Sequence, residues 1–390
     1  MNVNEYDYIV VGAGFAGATI ANNLANNNKK VLVIDKRDHV GGNCYDYLKD
    51  NILIHQYGPH IFHTSNKEVF DYLSQFTNWD KYHHTVKGHI DNKLVPIPFN
   101  LESIDLCFDK DKATKLKGIL INEYKEDTKV PILKLLENKD KDIQELSNYI
   151  FDNVFKYYTM KQWGLKANEI DPEVTARVPV SVSYKDGYFN DTYQYMPQEG
   201  YTKIFNNMLE HKNITIKLNK DIKDIIELEN GLFYTITNDI YKGKIIYTGQ
   251  LDYLFDYKLG DLPYRSLEFI MEKHNGQYQQ MATENYPGKE EDYPYTRITE
   301  YKLLMKEYPK DITYIHKEYP LEYNKNAKKG NIPYYPIFTK DNQDKYNAYV
   351  EISKEYKHLY LLGRLAEYKY YNMDAMILKA LELSKELLGE

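Results

Sequence analysis

The apolar positions of this 390-residue chain fall into short unbroken runs set off by glycine turns, and into longer stretches with helical spacing. Tyr8–Ile9–Val10–Val11 is one such run. It is too short for a helix and lacks the alternation of a half-exposed strand, so it predicts a strand buried on both faces. Val31–Leu32–Val33–Ile34 predicts a second, and the glycine-rich segment between them opens a helix. Ile52 to His55 reads as a third strand, closed by the Gly58–Pro59 turn. The next helix carries Val69, Phe70, Leu73 and Phe76 on one face, with Ser65 and Glu68 spaced as a capping box. Lys93 to Phe99 holds two prolines and predicts an edge strand or a surface loop. From about Asp105 to Lys161 the spacing is helical and lysine-rich, with Ile143, Leu146, Ile150, Val154 and Tyr157 on one amphipathic face. A helix starts at Glu199–Gly200–Tyr201, and alternating strands follow near Ile214–Leu218 and Leu232–Thr237. Lys244 to Gly249 predicts a buried strand that returns to the first sheet. Asp256 to Tyr346, rich in tyrosine and proline, reads as short strands. Leu359 to Arg364 predicts a last parallel strand before a terminal helix. The first and last segments therefore share one sheet, and the domains are discontinuous.

The first turn carries chemistry. Gly12 permits a tight turn, Gly14 lets backbone approach a pyrophosphate, and Gly17 lets helix and strand pack closely. Asp35 ends the second strand 23 residues after Gly12, at the distance expected of a carboxylate that grips a ribose hydroxyl. Free amides at a helix start hold phosphate without a lysine. Strand, glycine turn, helix, strand and terminal acid together predict a dinucleotide site. The continuation Lys36–Arg37–Asp38–His39–Val40–Gly41–Gly42–Asn43 resembles the extended flavin fingerprint of the glutathione-reductase and amine-oxidase type, so FAD is expected rather than NAD.

Composition narrows the rest. The net charge of −7 opposes a nucleic-acid footprint. No run reaches the length of a membrane span and no leader peptide is expected. Cys44 and Cys107 have neither metal nor redox spacing, which fits a reducing, cytoplasmic setting. Six of the 11 histidines lie between His55 and His89, yet no ligand pattern or helical pair occurs there, and no metal is expected. Of the 50 lysines and arginines, only Arg37, Arg177, Arg265, Arg297 and Arg364 are arginine. In a chain so biased to lysine, those positions are candidates for a flat bidentate fork that suits phosphate or carboxylate.

The order of short motifs resembles the UDP-galactopyranose mutase family nearly end to end. They are the glycine motif, Gly-Gly-Asn, His-Ile-Phe-His-Thr, Lys-Gln-Trp-Gly, Tyr-Arg-Ser-Leu, Pro-Tyr-Thr-Arg-Ile, Lys-Glu-Tyr-Pro, Pro-Tyr-Tyr-Pro and Gly-Arg-Leu-Ala-Glu-Tyr-Lys-Tyr-Tyr. The resemblance implies an α/β protein. It has a discontinuous Rossmann-like FAD-binding domain (1–88, 196–256 and 340–390) and an inserted helical domain (104–174) bearing a mobile substrate loop. A mostly antiparallel sheet domain (89–103, 175–195 and 257–339) completes it. It gives Arg177, on the mobile loop, and Arg297 the diphosphate, and lines the uridine and sugar path with Phe155, Tyr158 and Trp163. Tyr188, Tyr335 and Tyr370 would reach the phosphates, with Asn285 and His84 as further substrate contacts and Glu318 in support. The flavin would be held by Gly12, Gly14, Ala16, Gly17, Asp35, Lys36, Gly42, Asn43, Arg364, Asn372 and Met373, with His60, Ile61 and His63 beside its ring. Two departures bear on sugar choice: Asn372 stands where the family usually has Asp, and Gln198–Glu199 replaces a smaller turn.

The same resemblance implies the reaction. UDP-galactopyranose and UDP-galactofuranose interconvert through a flavin N5–sugar adduct, with no net redox change, to supply furanose units for cell-surface polysaccharide. Reduced FAD is the active form, with NAD(P)H or dithionite as reductant. UDP-N-acetylgalactosamine is a second possible substrate, and a homodimer is expected. Two other readings share the cofactor fold: an amine-oxidase-type flavin oxidoreductase, which would consume oxygen per substrate, and a non-catalytic dissociation-inhibitor-like binding protein, which would be colourless.

Overall fold

The computed structural model describes residues 2–164 and 179–389. The first strand, β1 (Tyr8–Val11), sits at the centre of a five-stranded parallel sheet beside β2 (Val31–Ile34). Strand Ile214–Lys217 lies outside β2, and Lys244–Tyr247 and Leu359–Leu361 complete the order on the other side of β1. Ile9, Val10, Val31, Leu32, Val33 and Ile34 are inaccessible to solvent, as unbroken apolar runs in a doubly covered sheet require. Each such side chain contributes roughly 1.5–3 kcal/mol of transfer free energy. Helix α1 (Phe15–Asn26) covers one face with the C-terminal helix Met373–Leu388 packed along it. Two ends of the chain thus build one layer.

Helix α2 (Lys67–Leu73) buries Val69 and Leu73 as its spacing predicts, but its cap differs. Asn66 accepts from the amides of Glu68 and Val69, while the Ser65 hydroxyl turns to Asp191 at 3.3 Å. The expected Ser65–Glu68 capping box is thereby corrected. Asn is as good a cap as Ser, and it sits one residue closer to the first turn.

A seven-stranded sheet forms the second layer. Its two longest strands, Tyr264–Asn275 and Ile312–Glu322, are antiparallel neighbours, so the expectation of short strands is corrected for these two, while Thr283–Asn285, Arg297–Glu300 and Tyr335–Pro336 are short as expected. Pro320 interrupts no ladder. The neighbouring strand Arg297–Glu300 ends opposite Glu318, which leaves the proline side of the chain unpaired. Lys93–Ile97 closes the sheet as its edge strand, paired to Val86–Ile90.

The helical unit comprises α3 (Leu101–Cys107), α4 (Lys110–Tyr124), α5 (Ile132–Leu136), α6 (Lys141–Ile150) and α7 (Tyr157–Trp163). A π-helical stretch, Phe151–Lys156, joins α6 to α7 and shifts the helical phase. Val154 and Phe155 both turn inward there, and Tyr157 is only partly buried. Val180–Val182 pairs with Thr128–Val130 and packs into the core of this unit.

Candidate active site

The glycine turn, the loop after β2 and the start of the C-terminal helix enclose a cavity of about 280 Å³. Gly12, Gly14, Ala16, Asp35, Lys36, Gly42, Asn43, His60, Arg364, Asn372 and Met373 all line it. Gly12 has φ +103°, a conformation that favours glycine. A methyl at Gly17 would overlap the Gly12 carbonyl oxygen, so Gly17 stands behind the cavity wall and holds the turn against α1. Asp35 braces that turn: its carboxylate accepts from Ala13 N at 2.8 Å and Arg37 N at 2.9 Å. Two long helices start at the cavity, from Gly14 and from Asn372, and neither has a side-chain cap. Uncapped helix starts attract anions.

Arg37, one of five arginines and part of the flavin-like fingerprint, gains its contacts here. Its Nη2 donates to Asn43 Oδ1 at 2.9 Å, its guanidinium lies 4.3 Å over the Tyr57 ring, and its buried Nη1 has no hydrogen-bond partner among the described residues. An orphaned cationic donor on the cavity wall awaits an acceptor from outside the chain. With the glycine cradle, the uncapped helix starts and Asp35, it fits a dinucleotide. Thr248, Tyr253, Tyr334 and Tyr371 line the same cavity, although the sequence reading gave none of them a role.

Arg364, on the wall of this cavity, leads to a cluster of aromatic and charged side chains around Arg297, called the chamber below. Arg297 Nε and Nη2 donate to Glu318 Oε2 at 3.0 and 2.7 Å. The two residues stand opposite each other on adjacent antiparallel strands. Glu318 is 2% exposed, and its other oxygen, Oε1, has no partner among the described residues. Burial opposes charge on Arg297, but Glu318, Tyr158 and Tyr335 more than offset it, and its pKa is raised. The guanidinium in turn is felt at Tyr158, Tyr188, Tyr335, His60 and His84. Trp163 lies 6.3 Å from Tyr335, which stacks on Tyr370 at 6.1 Å. Arg364 spans the two spaces: it lines the cofactor cavity and lies 5.5 and 4.7 Å over the rings of Tyr335 and Tyr370. Its Nη2 donates to Tyr371 O at 2.7 Å, which holds it there.

The other residues named from the sequence have contacts of their own. Phe155 is packed in the helical core. Ile61 is buried in the main core and does not line the cofactor cavity, and neither does His63. His63 instead pairs with Asp191 at 2.8 Å and stacks on Phe189 at 3.6 Å. Asn285 sits opposite Arg297 in strand register. Arg177 lies outside the described residues.

His55, His60 and His84 are neutral. His60 Nδ1 lies 2.9 Å from the Gly58 carbonyl, which can only accept, so Nδ1 carries the proton and Nε2 is bare. Burial pulls the pKa of His55, His60 and His84 down to about 3. The unfolded chain then binds protons below pH ~6.5 that the folded chain refuses. Their contribution to stability is full above that pH and is lost as pH falls towards 3. We expect the urea midpoint to drop steadily from pH 7 to pH 5, and less steeply in His84→Gln. An unchanged slope in that variant would remove His84 from the account.

Among the described residues no group of three or more metal-ligating side chains is assembled. None of their helices is long and apolar enough to cross a membrane. The family model described as UDP-galactopyranose mutase matches residues 153–370, and a model of an NAD(P)-binding Rossmann-like domain matches residues 10–76. UDP-galactopyranose mutase of Mycoplasma genitalium is 36% identical over 100% of this chain and 96% of its own. The dTDP-fucopyranose mutase of Escherichia coli is 33% identical over 97% of each. A crystal structure of reduced UDP-galactopyranose mutase superposes with a TM-score of 0.72 at 15% identity, over 98% of this chain and 96% of that one. Motif order, a Rossmann sheet with its glycine cradle and full-length identity converge, and the chain belongs to the UDP-galactopyranose mutase family.

Proposed function

We propose that this chain is a flavin-dependent mutase that interconverts UDP-galactopyranose and UDP-galactofuranose without net redox change. The observation that carries the reading is Arg364, which joins a dinucleotide cavity to a tyrosine-rich cluster around a second, half-buried arginine, Arg297. FAD is the cofactor the cavity suits: Gly12, Gly14 and the two helix starts would hold its diphosphate, and His60 would stand near its ring. Reduced FAD, once bound, would supply the nucleophile that displaces the nucleotide from the sugar.

The chain's own residues do the rest. Arg297 is held charged, and it meets the negative charge that grows on the departing diphosphate. Each charge-assisted bond contributes about 1.5–3 kcal/mol. Burial pushes the Tyr335 phenol up to about 12 and raises Tyr188, so both remain donors to phosphate oxygens at neutral pH. Tyr370 adds a third hydroxyl. Trp163 and Tyr158 wall the base, and neutral His84 adds no charge to the chamber. Arg177 supplies the second fork. Arg177→Ala is expected to cut turnover severely while flavin absorbance is retained, and near-normal turnover would refute its assignment.

The sugar is a separate question. The Escherichia coli relative is named for a dTDP-fucopyranose, and Asn372 leaves the cavity edge without the carboxylate usual in the family. Side-by-side turnover of UDP-galactofuranose, its N-acetyl counterpart and dTDP-fucofuranose ranks the substrates. We expect UDP-galactofuranose to lead, and Asn372→Asp to change the ranking more than the flavin content. Two unpaired cysteines suit cytoplasmic work, with furanose units passing on to surface polysaccharide.

A further inference from the structure

Two buried cations away from the diphosphate chamber remain without a task. Lys161 is 9% exposed, and its ammonium donates to three backbone carbonyls: Tyr286 O at 2.7 Å, Tyr293 O at 2.8 Å and Tyr295 O at 3.1 Å. No carboxylate pairs with it among the described residues; Glu290 and Asp292 act on it only at longer range. Burial has drawn its pKa down to about 8, as expected of an ammonium taken out of water. Arg265, 8% exposed, reaches the same helix from the large sheet. Its Nε donates to Gln162 O at 2.9 Å and its Nη2 to Lys161 O at 3.1 Å. These are last-turn carbonyls of α7, which lack intrahelical donors. Gly164 follows with φ +64°, and a side chain there would run into the Arg265 guanidinium.

We propose that Lys161 and Arg265 are positioning residues that moor the end of α7 to the sheet layer and so fix Trp163 against Tyr335 as the wall of the nucleotide site. The geometry is economical. Lys161 ties the helix to the loop 286–295, and that loop runs into the strand bearing Arg297. Arg265 stands opposite Tyr335 in strand register, so one pair of strands sets both the helix end and the ring that Trp163 faces. Three carbonyls around one ammonium satisfy its donors completely and leave it one stable pose. An apolar substitute leaves three carbonyls buried and unpaired, a cost that is relieved only if the helix end moves.

This inference rests on the nucleotide-sugar reading, and its test separates the two. Trp79 and Trp163 are the only tryptophans, so in a Trp79→Phe background emission reports Trp163 alone. In the full-length flavin-loaded protein, Lys161→Met is expected to raise acrylamide quenching of Trp163 without any ligand present. It should also raise the Kd for UDP about tenfold or more, and KM for the nucleotide sugar with it, while kcat stays within about threefold and the flavin spectrum is unchanged. Arg265→Lys keeps the charge but loses the fork, and should move both readouts the same way by a smaller factor. It decides the matter if Lys161→Met does not fold. Trp163 quenching and UDP affinity within twofold of the parent in either folded variant would overturn the proposal. A parent that binds no UDP, with quenching still raised in the variants, would keep the mooring and remove the assigned substrate.

Discussion

Arg297→Lys is expected to lower turnover of the reduced protein about a hundredfold, with flavin content and the oxidised flavin spectrum unchanged. The magnitude follows from what a single preorganised donor to a developing anion is worth, about 10²–10³ in kcat. Lysine keeps the charge, so Glu318 remains neutralised, but it cannot hold Glu318 and present a second donor in the same plane. Arg297→Ala is a harsher change. It leaves the Glu318 carboxylate, 2% exposed, without its cation, and breaking such a buried pair costs roughly 3–5 kcal/mol of stability. Its loss of activity therefore mixes chemistry with unfolding, whereas the lysine variant isolates the chemistry. Steady-state kinetics beside a thermal melt check this. A lysine variant with parental kcat would take Arg297 out of the reaction.

Gly17→Ala is expected to abolish flavin binding and with it all turnover. The added methyl meets backbone, the Gly12 carbonyl, and not a side chain that can swing away. Either α1 retreats from β1 or the turn distorts; both spoil the amides at the helix start. Overpacking of this kind costs typically about 1–3 kcal/mol, and more where backbone must shift. Purification without the yellow colour, with far-ultraviolet dichroism near that of the parent, is the expected result. Stoichiometric flavin in the variant would show that the turn tolerates the strain.

The parallel half of the fold was legible because its signals are local. β1, β2 and the strand Lys244–Tyr247 announce themselves as apolar runs, and the glycine turn is written in adjacent residues. The antiparallel half was not. Tyr264–Asn275 and Ile312–Glu322 mix charged and aromatic residues, and Pro320 lies within the second of them. Only the early end of the neighbouring strand shows why that proline is harmless. The capping of α2 differed by a single residue, a distinction that Ser, Asn and their neighbours do not make in sequence alone.

The site was legible as residue types but not as geometry. Arginine against a lysine background pointed to Arg297 and Arg364, and the chamber holds both. Their partners come from register: Glu318 faces Arg297 across a strand pair 21 residues away in sequence. Phe155 sits in a π-helical stretch whose shifted phase, which regular helical spacing does not announce, turns it toward the helical core. His63 was drawn to Asp191, 128 positions distant, which no local pattern announces. Arg265 stood out by type and remained without a role until its contacts with the end of α7 were seen.

The most direct test of the account is conversion of UDP-galactofuranose by one preparation split into dithionite-reduced and air-oxidised halves, with nucleotide sugars followed by chromatography. The account predicts many turnovers to UDP-galactopyranose in the reduced half after a single reduction, and essentially none in the oxidised half. Equal conversion in both halves, or oxygen consumed in step with product, would contradict it.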